Sequence, residues 1–156
     1  MRAVIKENSN CIDIGCPKGE MLEVIQQLAP QGIHYAFEPI PLMYNTLKNQ
    51  FPKTTIFPYA LANENGTATF HFVKNAPAYS GIRKRKYAVH NPDIEVIQVI
   101  TKRLDEVSEI SVPIHFMKID VEGAEYSVLQ GASELLKTSK PLIIFEFGLG
   151  ASDFYG

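Results

Sequence analysis

The chain has 156 residues, 46% of them apolar and 21% charged, with a formal net charge of -2. That length supports one domain with a real hydrophobic core and excludes two. The charge gives no global field toward nucleic acid or a membrane surface, and no apolar run approaches the ~18 residues of a membrane span.

The first eight residues, Met1 to Asn8, contain no apolar stretch ahead of a cleavage site, so no signal peptide is expected. Two cysteines, Cys11 and Cys16, are too few for a disulfide framework. They are expected to be free thiols of a cytoplasmic protein, with no metal site because no further ligands stand near them.

In chain order, Asn10 to Ile14 reads as a short buried strand stopped by Gly15 and Pro17. Met21, Val24, Ile25 and Leu28 follow at the spacing of one helix face, closed by Pro30 and Gly32. Ile33 to Phe37 is a second strand, ended by Glu38-Pro39. Pro41 fits the first turn of a helix running to Asn49, and Thr54 to Tyr59 is a third strand. This β-α-β-α-β series predicts a parallel sheet with helices on its faces.

After the turn Asn63-Glu64-Asn65-Gly66 the pattern changes. Thr67 to Val73 and Ile94 to Ile100 alternate polar and apolar residues, as half-exposed strands do, and are expected to form an inserted antiparallel pair. Between them Lys74 to Asp93 is irregular, carries two prolines and includes the basic run Arg83-Lys84-Arg85-Lys86. A loop of that length suits a substrate-facing flap, and Ser80 is a candidate substrate contact by its position there. Strand and helix then alternate again: a buried strand at Ile114 to Ile119, a helix at Glu122 to Lys137 and another buried strand at Leu142 to Phe147.

Three motifs carry chemistry. Asp13-x-Gly15-x-x-x-Gly19 lies between a strand and a helix, where glycines allow a sharp turn and close approach to a ligand. Its spacing is not the dinucleotide fingerprint G-x-G-x-x-G, which argues against an NAD-linked oxidoreductase. Asp13 adds a negative charge, wrong for a pyrophosphate and suited to a ligand bearing an amine or a sulfonium. Glu38 ends the second strand, where a carboxylate can accept hydrogen bonds from two ribose hydroxyls. Lys118-Ile119-Asp120-Val121-Glu122-Gly123-Ala124-Glu125 falls at the carboxyl end of the fourth parallel strand, where open α/β sheets bind ligands. Asp120 and Glu122, two apart on extended backbone, are expected to point the same way. Asp120 or Glu122 is the candidate base, with Lys118 as charge partner. Glu146, at the end of the last strand, is a second candidate substrate contact by the same strand-end argument. His34, His71 and His115 are read as structural, and only His90 is placed to reach a substrate.

The ordered series Cys11-Ile12-Asp13-Ile14-Gly15, Ala36-Phe37-Glu38-Pro39, Leu104-Asp105, Lys118 to Glu125, Val128-Leu129-x-Gly131-Ala132 and Lys140-Pro141-x-x-x-x-Glu146 resembles the FkbM family of methyltransferases. The resemblance spans residues 11 to 147. It implies a Rossmann-like class I methyltransferase fold, a three-layer α/β sandwich, and methyl transfer from S-adenosylmethionine to a hydroxyl of a sugar-like or other small acceptor. It implies that Asp13, Gly15 and Gly19 line the methionine side of the cofactor. Glu38, with Pro39 beside it, would hold the ribose, and Ala60-Leu61-Ala62 would border the adenine. Asp120 and Glu122 would sit where acceptor meets methyl. One departure is Cys16-Pro17, where the family commonly has Ala-Asn. Residues 1–156 are expected to be a single domain cut short at the C-terminus, because the last two of seven strands would follow Glu146. The alternative is a cofactor-binding module without turnover. An incomplete sheet edge would favour self-association.

Overall fold

The computed structural model describes residues 3–82 and 90–145. The chain begins with β1 (Cys11–Ile14), α1 (Glu20–Leu28), β2 (His34–Phe37), α2 (Pro41–Gln50) and β3 (Thr55–Phe57). It goes on through β4 (Tyr59–Leu61), β5 (Gly66–Val73) and β6 (Ile94–Lys102). The last elements are β7 (Phe116–Ile119), α3 (Glu125–Gly131), α4 (Ser133–Ser139) and β8 (Leu142–Phe145). Five strands form one parallel sheet in the order β3-β2-β1-β7-β8, and the other three form a small sheet in the order β4-β6-β5. This is the expected Rossmann-like α/β arrangement with an inserted antiparallel pair.

The central strands are buried on both faces, which is why they read as apolar runs rather than as alternation. Ile12 and Ile14 of β1, Tyr35 and Phe37 of β2, and Met117 and Ile119 of β7 pack on one side with Val128 of α3. Cys11, Ala36 and Phe116 face the other side, where Leu22 and Ile25 of α1 and Leu47 of α2 meet them. Leu22 and Ile25 are three apart on one helix face and both fully buried. Each contributes about 1.5–3 kcal/mol by leaving water. Gly19 starts α1 in the left-handed conformation, φ 72°, and a side chain there would collide with Phe51.

The structure revises several expectations. The strand read as Thr54 to Tyr59 is two strands: β3 stays in the large sheet, and after Pro58 β4 joins the small one beside β6. Proline lacks the N–H that would continue a ladder, so the switch falls where pairing is weakest. The antiparallel pair is present as β5 and β6, with Thr67 opposite Ile100 and Val73 opposite Ile94. The helix read as Glu122 to Lys137 starts only at Glu125 and breaks at Ala132 into α3 and α4. Asp105 explains the break: its carboxylate accepts the Leu135 N–H at 2.9 Å, the Glu134 N–H at 3.0 Å and the Ser133 hydroxyl at 3.3 Å. It caps the new helix start from a distant loop. Gly131 lets α3 approach the Ala62 carbonyl so closely that a side chain would not fit. The last strand, read as buried, is exposed at Leu142, Ile144 and Phe145, because β8 stands at the edge of the large sheet.

Candidate functional site

Parallel register brings the first charges together. Asp13 of β1 lies opposite Lys118 of β7, so both side chains leave the sheet on the same side. The Lys118 ammonium donates to the Gly15 carbonyl at 2.7 Å and pairs with Asp120 Oδ2 at 3.1 Å. It stands 3.5 Å from Asp13 Oδ1, an ionic contact too long to count as a hydrogen bond. Asp13 is fully buried, and among the described residues neither of its carboxylate oxygens finds a hydrogen-bond donor. A buried carboxylate without donors is costly, so such a group marks either strain or a place for a ligand.

The electrostatics follow. Burial pushes the Asp13 carboxyl up to about 6; Lys118 pulls it down by attraction and Asp120 adds repulsion. Burial pushes Glu38 up to about 7, with the Ile40 N–H opposing and Asp13 adding repulsion. For Lys118 burial opposes the charged form, but Asp13 and then Asp120 outweigh it and its pKa is raised. Burial, together with Asp13 and Glu38, raises the Cys16 thiol well above its usual 9.0, so it is no thiolate. Both cysteines are free and buried.

The loop after β1 separates two cavities. On one side a polar cavity is lined by Asp13, Gly19, Lys18, Glu20, Lys118 and Asp120. On the other an apolar cleft is lined by Glu38, Pro39, Ala60, Leu61, Tyr59 and Phe70. Gly15 and Pro17 border both. Gly15 has φ 75°, and a methyl group there would strike the Asp120 carbonyl oxygen, so the β1 and β7 loops touch at this glycine. Pro17 fits its turn: Gly19 N–H donates to Cys16 O at 2.9 Å, placing Pro17 second in a four-residue turn, where its fixed φ is favoured. Glu38 is buried, with Oε1 accepting the Ile40 N–H at 2.9 Å.

The structure thus gathers Asp13, Gly15, Gly19, Lys118 and Asp120 at one cavity, and Gly15, Glu38, Pro39, Ala60 and Leu61 at the adjoining one. Ser80 lines neither, and its buried hydroxyl oxygen accepts the Val73 N–H at 3.0 Å. Its neighbours Pro77 and Ile82 do line the apolar cleft, and Ala78 lines the polar one, so the start of the long loop lies across both. Glu122 is not on extended backbone beside Asp120: it is left-handed at φ 59°, followed by Gly123 at φ 103°. Its Cβ stands beside Gly81 of the loop, and, unlike Asp120, it lines neither cavity. Glu146 and Arg83-Lys84-Arg85-Lys86 lie outside the described residues.

His34 is buried and bonds the Ala29 carbonyl at 2.8 Å, while His115 Nδ1 accepts the Asn10 N–H at 2.9 Å, both structural uses. His71 is half-buried, with a buried Nδ1 that has no hydrogen-bond partner among the described residues, and His90 is exposed. Val121 and Ala124, inside the motif from Lys118 to Glu125, line the apolar cleft, and so do Tyr59, Phe70, Pro77 and Ile82, which no motif announces. Only the strand-end position of Tyr59 and the alternation around Phe70 hinted at them.

Among the described residues no helix is long and apolar enough to cross a membrane. A search of curated proteins finds no match. The model of the methyltransferase FkbM domain matches residues 13–155, nearly the whole chain, from the buried Asp13 through the β7 strand end and beyond. The chain belongs to the FkbM family of methyltransferases.

Proposed function

We propose that this chain binds S-adenosylmethionine and transfers its methyl group to a hydroxyl oxygen of a sugar or other small metabolite. The observation that carries the reading is the pair of buried, donorless Asp13 oxygens at the head of the polar cavity. The Lys118 ammonium stands 3.5 Å away and leaves both oxygens without a hydrogen bond, so a ligand ammonium that donates to them would supply what the site lacks. Glu38, buried in the adjoining cleft, suits a diol such as ribose, and the apolar walls at Tyr59, Leu61 and Phe70 suit a flat base. The residues present therefore fit this donor part by part.

When bound, the donor supplies a methyl group on a positively charged sulfur. The protein's share is to bind, align and accept a proton. Asp13 and Glu38 anchor the two ends. Asp120, which lines the polar cavity, a third exposed and held by Lys118 at 3.1 Å, is the first candidate to take the acceptor's proton, and Glu122 in the turn after it is the second. Lys118 orients Asp120 and ties it to the glycine loop through the Gly15 carbonyl. We also propose self-association through β8, where Leu142, Ile144 and Phe145 are 41–47% exposed.

The test is incorporation of labelled methyl from S-adenosylmethionine into a hydroxyl-rich metabolite pool. Incorporation that disappears in the double variant D120N/E122Q supports the reading. Good donor binding with no incorporation would favour a binding module without turnover.

A further inference from the structure

We infer that Glu125 is a positioning residue of the acceptor side, holding Glu122 in a left-handed turn that the methyl-transfer reaction needs; this rests on the function proposed above. One oxygen, Glu125 Oε1, accepts the Val121 N–H and the Gly123 N–H, each at 3.1 Å. The carboxylate therefore grips the backbone on both sides of Glu122. A left-handed conformation is unfavourable for a non-glycine residue and persists only where surrounding structure enforces it. Asp120 N–H is fixed to the Ile14 carbonyl at 3.0 Å on one side of the turn, and α3 begins at Glu125 on the other.

The turn is also where three parts of the site meet. Val121 and Ala124 line the apolar cleft, the Asp120 carbonyl abuts Gly15, and Gly81 of the long loop sits against Glu122. A first-turn glutamate used only for the helix dipole would do its work from solvent. Glu125 instead spends its acceptor on two amides of the site. Loss of the carboxylate releases both N–H groups, the turn relaxes toward an ordinary conformation, and the Glu122 carboxylate moves. The donor's polar anchors, Asp13 and Glu38, stand on β1 and just past β2 and are not held by this clamp.

The experiment compares E125A and E125Q with the wild-type chain at equal folded fraction. Glutamine keeps an oxygen where Oε1 now accepts both amides, so it should rescue what alanine loses. In E125A, amide hydrogen exchange at Val121 and Gly123 should accelerate at least about tenfold relative to neighbouring α3 amides. Methyl transfer should fall about tenfold to a hundredfold, the cost of a misplaced catalytic group. Donor affinity should fall by less than methyl transfer does, since Val121 lines the donor cleft but the polar anchors are not held by the clamp, and E125Q should resemble wild type in all three. Unchanged exchange at the two amides overturns the clamp. Equal loss in E125A and E125Q, or E125A transfer equal to wild type, overturns the positioning role. If the wild-type chain transfers no methyl group, the proposed activity falls while the exchange comparison still decides the clamp.

Discussion

Replacing Asp13 by asparagine should weaken donor binding and, at the same time, stabilise the free protein at alkaline pH. The two effects have one cause. Asp13 is fully buried without a hydrogen-bond donor, and its carboxyl is pushed up from 3.8 to about 6. At pH 8 it must nevertheless be ionised, and the penalty for that is on the order of 3 kcal/mol, at about 1.4 kcal/mol for each tenfold change. Asparagine removes the charge. Lys118 loses one attraction but keeps Asp120 at 3.1 Å and the Gly15 carbonyl at 2.7 Å. The new amide N–H groups recover no partner, so the net gain should be only about 1–2 kcal/mol, or about 2–6 °C in Tm for a domain of this size. At pH 5 the penalty should fall by about 1.4 kcal/mol, most of that gain, because Asp13 is then largely protonated in the folded state while the unfolded carboxyl still ionises at 3.8. Donor binding should weaken about tenfold to a hundredfold through loss of a charge-assisted hydrogen bond. Thermal melts at pH 5 and 8 and calorimetric titration with S-adenosylmethionine measure both. A variant that is less stable at pH 8 and binds the donor as wild type does would refute the reasoning. Asp13 would then be a structural partner of Lys118.

The remaining predictions concern pH, the second cap, the glycine and the sheet edge. Asp13 and Glu38 have folded values of about 6 and about 7, above their ordinary 3.8 and 4.5, so the native state holds the extra protons. Their contribution to stability is complete below about pH 4 and is lost as pH rises through about 6 and then about 7. Melts of D13N/E38Q against wild type between pH 4 and 8 should show this slope flattened, and affinity for a cationic donor should rise over the same interval. Asp105→Ala removes three hydrogen bonds from the start of α4 and should cost about 1–3 kcal/mol by denaturant melt, without changing donor affinity in the folded protein. Gly15→Ala should lower donor affinity strongly, because Gly15 borders both cavities and a methyl group there forces the β1 and β7 loops apart; binding within twofold of wild type would show that the two loops need not touch. Light scattering should detect self-association that is lost on replacing Ile144 and Phe145 by lysine; a clean monomer of the wild-type chain would contradict the proposed role of the β8 edge.

Much of the fold was legible because parallel, doubly buried strands announce themselves as short apolar runs between glycines and prolines. Cys11–Ile14, His34–Phe37 and Phe116–Ile119 all read this way. The motif at Asp13 and the carboxylate at Glu38 were legible because position at a strand end is a local property. What was not legible depended on partners distant in sequence. The register that sets Lys118 beside Asp13 links residues more than a hundred apart. The break between α3 and α4 is imposed by Asp105, some thirty residues earlier, against a segment whose apolar spacing continues smoothly. The left-handed turn at Glu122 is set by Glu125, and no residue type at position 122 signals it. The apolar wall at Phe70 and Ile82 comes from the insertion, whose packing against the loop after β1 no motif encodes.

The most direct test of the donor site is a calorimetric titration of the wild-type chain with S-adenosylhomocysteine and, separately, with NAD. Saturable binding of one S-adenosylhomocysteine per chain is expected, tighter than NAD by at least about tenfold, or 1.4 kcal/mol, and weakened in both D13N and E38A. Tight binding of NAD alone, or S-adenosylhomocysteine binding that neither substitution changes, would contradict the account.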